Sequence, residues 1–213
     1  MKITKVLNLY AGLGGNRKLW ENAQVTAIEQ NEELARIYKK LYPLDIVIVT
    51  DAHQYLINHY KEYNFIWSSP PCQSHSRMNY IIESVKPQFP DLKLYQEIIF
   101  LKQFCPGRFA VENVQPYYKP LIAPSTSIGR HLFWSNFDIL QFPAPHLPNM
   151  FNLNTIADSK ILQNWLDIHY DKPIYLDNTH NCCQVLRNCV HPEIGLHIFS
   201  ESLRFGLFQS LDL

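Results

Sequence analysis

The chain has 213 residues, of which 46% are hydrophobic and 18% charged, a balance typical of a globular domain that excludes a disordered protein. Its 19 basic and 19 acidic residues give a net charge of zero, so nucleic-acid binding would need a local basic patch. The five cysteines lack the spacing of a disulfide framework, which indicates a reducing compartment. No apolar run reaches the length of a membrane span, and residues 1–5 lead into a strand without an apolar leader. We therefore expect a cytoplasmic protein that contacts no membrane.

Alternating strand and helix patterns predict the fold class. Strands are predicted at 5–10, 25–28, 46–49, the start of 65–76, 108–111, 131–135 and 137–140. The run 46–49 is continuously apolar and largely β-branched, as in a strand that is buried on both faces of a sheet. Apolar residues at helical spacing predict helices over 32–41 and 91–105 and from Pro192 onward. This order predicts an α/β protein with a doubly wound, mostly parallel sheet and a small insertion.

A glycine-rich turn at 11–15 directly follows the first strand, and a short helical stretch is predicted from there through Leu19 and Trp20. Such a turn lets the backbone approach a ligand closely. The spacing of the glycines is not that of a dinucleotide-binding motif, so a pyrophosphate is not specifically implied. An ordinary tight turn between strand and helix remains the alternative.

Two carboxylates follow the second and third strands. Glu29 stands where the second strand of a βαβ unit usually presents an acid to the ribose hydroxyls of a ligand. Asp51 either hydrogen-bonds an exocyclic amine of a ligand or caps the helix that follows. Because the ends of the first and second strands already suit a ligand, the ligand interpretation of Asp51 is favoured.

The loop after the fourth strand, with the sequence Ser-Ser-Pro-Pro-Cys-Gln at 68–73, presents one thiol at the carboxyl edge of the sheet. Two prolines stiffen the turn, so Cys72 is a candidate nucleophile; a small buried apolar filler is the alternative. Glu112 ends the fifth strand, and its apolar surroundings predict a partly buried acid with a raised pKa. Residues 77–90 show little periodicity and are predicted as a mobile loop.

The motifs at 10–15, 70–73 and 112–114 occur in the order and at the intervals of the cytosine-5 DNA methyltransferases, which this chain resembles over roughly 5–138 and 186–205. The resemblance implies a Rossmann-like S-adenosylmethionine-dependent methyltransferase fold, with S-adenosylmethionine as cofactor and double-stranded DNA as partner. It implies methyl transfer to carbon 5 of a flipped-out cytosine through a covalent cysteine adduct, and no metal. A bacterial host, or a phage in one, and a restriction–modification setting fit such an enzyme.

The resemblance also assigns roles to individual residues. The catalytic residues would be Cys72, Glu112, Asn113 and Arg130. The cofactor-binding residues would be Tyr10, Gly12, Gly14, Gly15, Glu29, Asp51, Pro71, Asn188 and Val190. The mobile loop, with Arg77, could close over the flipped base.

The chain departs from the family at three points. In the segment 127–131 only one of two arginines remains, as Arg130, and it is shifted in position; Arg187 stands where the closing motif normally has glycine. The family's ninth motif, which supports the target-recognition region, has no counterpart in the sequence. The resemblance divides the chain into a catalytic domain (1–140), a small target-recognition insertion (141–185) and a returning C-terminal segment (186–213).

The insertion holds few basic residues, so we expect a short or relaxed DNA recognition sequence. A protein partner could supply the rest of the recognition, with the aromatic side chains of Phe142, Phe151 and Trp165 exposed for contact. Two other functions remain open: a non-catalytic protein that binds DNA or a methyltransferase, and an enzyme that methylates cytosine in RNA.

Overall fold

The computed structural model describes residues 3–77, 89–175 and 181–208, with side chains up to residue 204 in the last range. Within these ranges seven strands form one sheet in the order β3-β2-β1-β4-β5-β7-β6. The strands are Thr4–Leu9 (β1), Ala23–Ile28 (β2), Ile46–Ile48 (β3), Phe65–Ser68 (β4), Arg108–Val114 (β5), Thr126–Ile128 (β6) and His131–Ser135 (β7). The helices are Glu32–Leu41 (α1), Ala52–His59 (α2), Lys93–Phe104 (α3), Ile156–Leu166 (α4), Gln184–Arg187 (α5) and Pro192–Phe208 (α6).

Strands β1 to β5 pair in parallel, and β7 pairs antiparallel with β5 and with β6. Because β1 lies between β2 and β4, the strand order reverses at β1, and the carboxyl ends of these strands open onto one crevice. The sheet is thus doubly wound and mostly parallel, and the predicted fold class is confirmed.

Alternate side chains of the strands pack into two apolar cores, one on each face of the sheet. Leu7 and Leu9 of β1 join Leu56 of α2 and Ile98 of α3 on one face. Val6 and the aromatic residues Phe65 and Trp67 of β4 face the other side, where they pack with α6. This alternation with a period of two fixes the register of the strands, since a slip by one residue would turn each core side chain to the wrong face.

The connection from β1 to β2 contains turns instead of the predicted helical stretch through Leu19 and Trp20. Helix α6 packs against this connection. The Trp20 indole stacks on Phe199 with the ring centroids 5.2 Å apart, and its Nε1 donates to the carbonyl of Gly195 at 3.0 Å. A Cβ at Gly195 would collide with the backbone of Asn16. The prediction was wrong because a distant helix packs where a helix following β1 would lie.

Two predicted strands differ from the structure. The run 46–49 is not buried on both faces, because β3 is an edge strand with Ile46 50% exposed. Residues 137–140 form no strand. The turn at Asn136 ends β7, because its side-chain Oδ1 accepts from Phe109 N at 3.0 Å and its Nδ2 donates to Gly107 O at 2.9 Å. The apolar side chain of Phe137 is nevertheless buried in the core shared with α6.

The segment after β7 contributes one regular helix, α4, in which the Thr155 side chain and Asp158 form a capping box. Leu162 and Leu166 of α4 pack in a third core with Leu13 of the glycine turn and Leu34 of α1. The described part of the predicted insertion therefore packs against the turn that follows β1 and against α1. Residues 176–180 of the insertion and 78–88 of the predicted mobile loop lie outside the described residues. Among the helices that are described, none has the length and apolarity that a bilayer crossing requires.

Candidate active site

A cavity of about 490 Å³ opens at the carboxyl edge of the sheet, where the strand order reverses. Its walls come from the turn after β1, the end of β2, the loop after β4, the end of β5 and the segment that follows α5. Ten of the thirteen predicted site residues line it: Tyr10, Gly12, Gly15, Glu29, Pro71, Cys72, Glu112, Arg130, Asn188 and Val190. Residues that are far apart in sequence thus share one cleft.

The glycine turn forms one end of the cavity. Gly12 has a φ of +53°, and a Cβ placed on it would meet nothing within 4 Å, so its backbone faces open space. Gly12 N donates to Glu29 Oε2 at 2.8 Å, and Asn31 N donates to Glu29 Oε1 at 2.8 Å. The Glu29 carboxylate therefore joins the turn to the start of α1, while its side chain remains part of the cavity wall.

The segment 188–190 closes the cavity against Gly15. A Cβ on Gly15 would lie 2.5 Å from the carbonyl oxygen of Val190 and 2.9 Å from Cβ of Cys189. Only glycine permits this approach, so the sequence at residue 15 fixes how the returning chain meets the turn. Gly14, with a φ of +73°, has a different role. A Cβ there would collide with the rings of Tyr38 and Tyr42, and the residue does not line the cavity.

The loop after β4 is held by its neighbours. Asn113 Nδ2 donates to the carbonyl oxygen of Pro70 at 2.9 Å, which anchors the loop on β5. His75 N and Ser76 N both donate to the carbonyl of Cys72 at 3.0 Å. Burial and the nearby Glu112 carboxylate raise the pKa of the Cys72 thiol to about 11, although Arg130 acts in the opposite direction. The thiol is therefore protonated near neutral pH in this arrangement.

The Glu112 carboxylate is paired with an imidazole. Its Oε1 accepts from His131 Nδ1 at 2.6 Å, and both side chains are less than a tenth exposed. Burial alone would raise the pKa of Glu112, but His131, Ser69 and Arg130 outweigh it and hold the pKa below its ordinary value. The raised pKa expected from the apolar flanking strand was wrong, because β7 places a histidine against the carboxylate.

Arg130 lies between the cavity and a second one of about 700 Å³ on the side of the insertion, and lines both. Its guanidinium donates to the carbonyl oxygen of Arg187 and lies 5.9 Å from the centroid of the Phe151 ring. Arg187 in turn donates through Nη1 to the carbonyls of Phe151 and Leu153 at 3.1 Å and to Asn154 Oδ1 at 3.0 Å. The arginine at the position where glycine was expected therefore ties the insertion to the cavity wall.

The comparisons with known proteins agree with these motifs. A family model for C-5 cytosine-specific DNA methylases matches residues 4–120, more than half of the chain, including Cys72 and Glu112. The chain belongs to this family. The resemblance inferred from its motifs is thereby confirmed. No curated protein matches this methylase.

Three solved structures illustrate the range of structural similarity. A DNMT2 variant from Spodoptera frugiperda is 23% identical with a TM-score of 0.37, over 52% of this chain and 35% of its own. A hypothetical protein from Thermus thermophilus is 15% identical with a TM-score of 0.42, over 62% of this chain and 73% of its own. A TehB-like SAM-dependent methyltransferase from Corynebacterium glutamicum is 16% identical with a TM-score of 0.36, over 54% of this chain and 56% of its own. The methylase thus spans about a third of the length of the DNMT2 chain.

Three predicted site residues of the methylase do not line the cavity. Asp51 caps α2, since its Oδ1 accepts from Gln54 N at 2.7 Å, which is the alternative that was disfavoured. Gly14 packs against tyrosine rings and Asn113 anchors the loop that carries Cys72.

Sequence reasoning missed His131, which was read only as part of a strand. The available signal was its place at the end of the segment 127–131, where the family usually has an arginine. Of the three predicted exposed aromatics, Phe151 is 49% exposed, whereas Phe142 stacks on His197 and Trp165 contacts the ring of His191. In the described ranges, no group of three or more His, Cys, Asp or Glu side chains is arranged to hold a metal ion.

Proposed function

We propose that this methylase transfers a methyl group from S-adenosylmethionine to carbon 5 of a flipped-out cytosine in double-stranded DNA, through a covalent adduct with Cys72. The observation that carries the proposal is the shared cavity of Cys72, the Glu112–His131 pair and the glycine turn. A protein that only binds DNA or another methyltransferase needs neither the thiol nor the carboxylate in that cavity.

The cavity fits the cofactor. Its volume of about 490 Å³ is in the range of small-molecule sites, and the open space at Gly12 admits a ligand against the backbone. Glu29 would accept from the ribose hydroxyls, while the turn and Asn188 would hold the amino-acid end. When bound, S-adenosylmethionine supplies an activated methyl group.

Cys72 would make carbon 5 of the cytosine reactive. Carbon 5 is a poor nucleophile, but it becomes enamine-like when a thiolate adds to carbon 6. Addition forms the sulfur–carbon 6 bond, breaks the S–H bond and places electrons on ring nitrogen 3, which takes up a proton. After methylation of carbon 5, the proton on that carbon leaves and the thiolate is expelled.

Glu112 would move the proton between these positions. The Glu112 carboxylate would take up the proton of the thiol as the sulfur–carbon 6 bond forms, and pass it to ring nitrogen 3. Its lowered pKa makes it a weak base toward this thiol, so both proton transfers would accompany the addition. His131 stabilises the carboxylate before the transfer through the 2.6 Å hydrogen bond. Arg130 supplies a positive charge that lowers the pKa of the thiol.

The match to the family model supports DNA as the substrate in this proposal. The target carbon of cytosine is hidden within a duplex, so the base must be flipped out to reach a recessed thiol. The second cavity beside Arg130, with the exposed ring of Phe151, adjoins the first and offers a surface for the nucleic acid around the flipped base.

The test is covalent trapping on a duplex that contains 5-fluorocytosine, with S-adenosylmethionine present. Fluorine at carbon 5 cannot leave as a proton would, so the enzyme should remain attached and survive denaturing electrophoresis. The Cys105→Ser variant, which loses another partly buried thiol, should trap normally, and Cys72→Ser should not. Trapping on RNA but not on DNA would assign the substrate to RNA, and no trapping on either would refute covalent catalysis.

A further inference from the structure

The buried carboxylate of Glu97, on the inner side of α3, is used by no step of the reaction above. Its side chain is fully buried among apolar neighbours of α3 such as Leu94, Ile98 and Leu101. Burying a carboxyl group costs free energy unless hydrogen bonds compensate, and an apolar residue would fit this face of the helix more simply. Packing alone therefore does not explain why residue 97 is a glutamate.

Three hydrogen bonds converge on this carboxylate from three different elements. Tyr10 Oη donates to Oε1 at 2.5 Å and Ser68 Oγ donates to Oε2 at 2.7 Å. His53 Nδ1, in the first turn of α2, lies 3.0 Å from Oε1. An ionised carboxylate only accepts hydrogen bonds, so three donors suit its charged form.

Two of the donors, Tyr10 and Ser68, belong to segments that lead into different walls of the active-site cavity. Tyr10 directly follows β1, has a φ of +55°, and lines the cavity beside the glycine turn. Ser68 is the last residue of β4 and precedes Cys72 by four positions. The hydrogen bonds of one carboxylate thus link the expected cofactor side to the loop that carries the nucleophile.

We propose that Glu97 is a positioning residue that couples the cofactor side of the cavity to the Cys72 loop through its hydrogen bonds to Tyr10 and Ser68. The proposal rests on the proposed function, because that function assigns one side of the cavity to the cofactor and the other to the nucleophile. Charged hydrogen bonds are stronger than neutral ones, and in a buried network the loss of one partner weakens the others. A substitution of Tyr10 should therefore change the reactivity of Cys72, and a substitution of Ser68 should change the affinity for S-adenosylmethionine.

The first experiment replaces the carboxylate by an amide of the same shape in Glu97→Gln. The dissociation constant for S-adenosylmethionine, measured by calorimetry, should rise about tenfold. Alkylation of Cys72 by iodoacetamide, followed by peptide mapping without cofactor, should accelerate at least about threefold because the loop is less firmly held. Unchanged cofactor affinity together with unchanged alkylation would overturn the proposal.

A matched control is Glu201→Gln on α6. Glu201 is also buried, at 4% exposure, and also lies near a histidine, since its Oε1 is 3.9 Å from His197 Nδ1. It lines no part of the active-site cavity. This variant should lose stability without changing cofactor affinity or Cys72 alkylation, and equal changes in both variants would mean that Glu97 acts only on stability.

The titration of His53 checks the contact to Glu97 itself. The hydrogen bond to Glu97 raises the pKa of His53 against the effect of burial, with Asp51 adding to the rise and Lys93 opposing it. In Glu97→Gln the pKa measured by NMR should fall toward its ordinary value. An unchanged His53 titration would contradict the contact on which the proposal stands.

A double-mutant cycle keeps the proposal testable if Glu97→Gln does not fold. Tyr10→Phe and Ser68→Ala each remove one donor and leave the carboxylate in place. Their effects on cofactor affinity should be non-additive by about threefold or more, because both act through Glu97. Additive effects would overturn the coupling. Cofactor binding without trapping on fluorocytosine would refute the proposed function alone.

Discussion

The edge of the sheet and the segment 141–175 differ in how firmly their side chains are held. At the sheet edge the carboxylates of Glu29, Glu97 and Glu112 each accept hydrogen bonds from other elements. The segment 141–149 is irregular, and the charged side chains of α4 and its flanks lie mostly at the surface. The cavity that carries the family motifs is thus held by hydrogen bonds between elements, whereas the segment expected to choose the target is short.

Under the proposed function, this difference separates two properties. The reaction would depend on positions within one cavity, whereas binding of the DNA around the target would depend on the insertion that Arg187 ties to that cavity. Changes at the sheet edge should therefore affect catalysis or cofactor binding strongly, while changes in the insertion should act on DNA.

The largest expected effect is that of Cys72→Ser, which should abolish methylation while cofactor affinity stays within about twofold. A serine hydroxyl is far less ionised than a thiol, so addition to carbon 6 should stall. Bisulfite sequencing of treated DNA gives the first readout and calorimetry the second. The control is Cys105→Ser. Methylation that persists in Cys72→Ser would exclude this residue as the nucleophile.

The next effect is a pH dependence of Cys72 itself. Because its pKa is raised to about 11, the thiolate fraction should rise about tenfold per pH unit below that value and be lost as the pH falls. Alkylation of Cys72 in the free protein should follow this curve. Glu112→Gln removes a neighbouring negative charge and should shift the curve to lower pH. A rate that is constant from about pH 7 to 9 would mean that the thiolate is already formed.

Glu29→Ala should weaken S-adenosylmethionine binding by about ten- to a hundredfold, equivalent to roughly 1.5–3 kcal/mol for a charge-assisted hydrogen bond. The structure adds a second reason, since the variant leaves Gly12 N and Asn31 N without their acceptor. Calorimetry measures the change. Glu32→Ala, which removes an exposed acid of α1, should bind normally. Equal affinities of the wild type and Glu29→Ala would show that this carboxylate does not contact the cofactor.

A smaller effect is expected for Arg187→Ala, which loses the contacts to residues 151–154. Unfolding by urea should show a loss of about 1–2 kcal/mol, and DNA affinity should fall a few-fold with cofactor affinity unchanged. Arg36→Ala, which removes an exposed arginine of α1, is the control and should stay within about 0.5 kcal/mol of the wild type. If cofactor affinity falls as much as DNA affinity, the insertion and the cavity are not separate in function.

The smallest effect concerns target choice. Within 141–175 the basic side chains are Lys160 and Lys172, with His146 and His169, so few phosphate or base contacts are available. Methylated cytosines mapped across a plasmid should fall in short or relaxed sequence contexts. Efficient methylation confined to one site of about six base pairs or more would contradict this expectation. Methylation only with a second protein present would support a partner that completes recognition.

The sequence was sufficient to predict the strand ends and most of the cavity, because each strand's carboxyl end carries its ligand-facing residue within a few positions. It was insufficient where distant segments meet. The turns at 11–20 depend on α6, and the pKa of Glu112 depends on His131. The role of Asp51 was ambiguous from the sequence, since a carboxylate at this position can cap a helix or bind a ligand. The structure shows that it caps α2.

The packing of α6 against the β1–β2 connection has a consequence for synthesis of the protein. Strands β1 to β5 leave the ribosome before Ile198 and Phe199, which cover Trp20 and Phe65. Until then, one face of the nascent sheet is apolar and uncovered, and the wall at Val190 is missing. The emerging chain should therefore need protection by chaperones, and it should gain cofactor binding only after translation of α6.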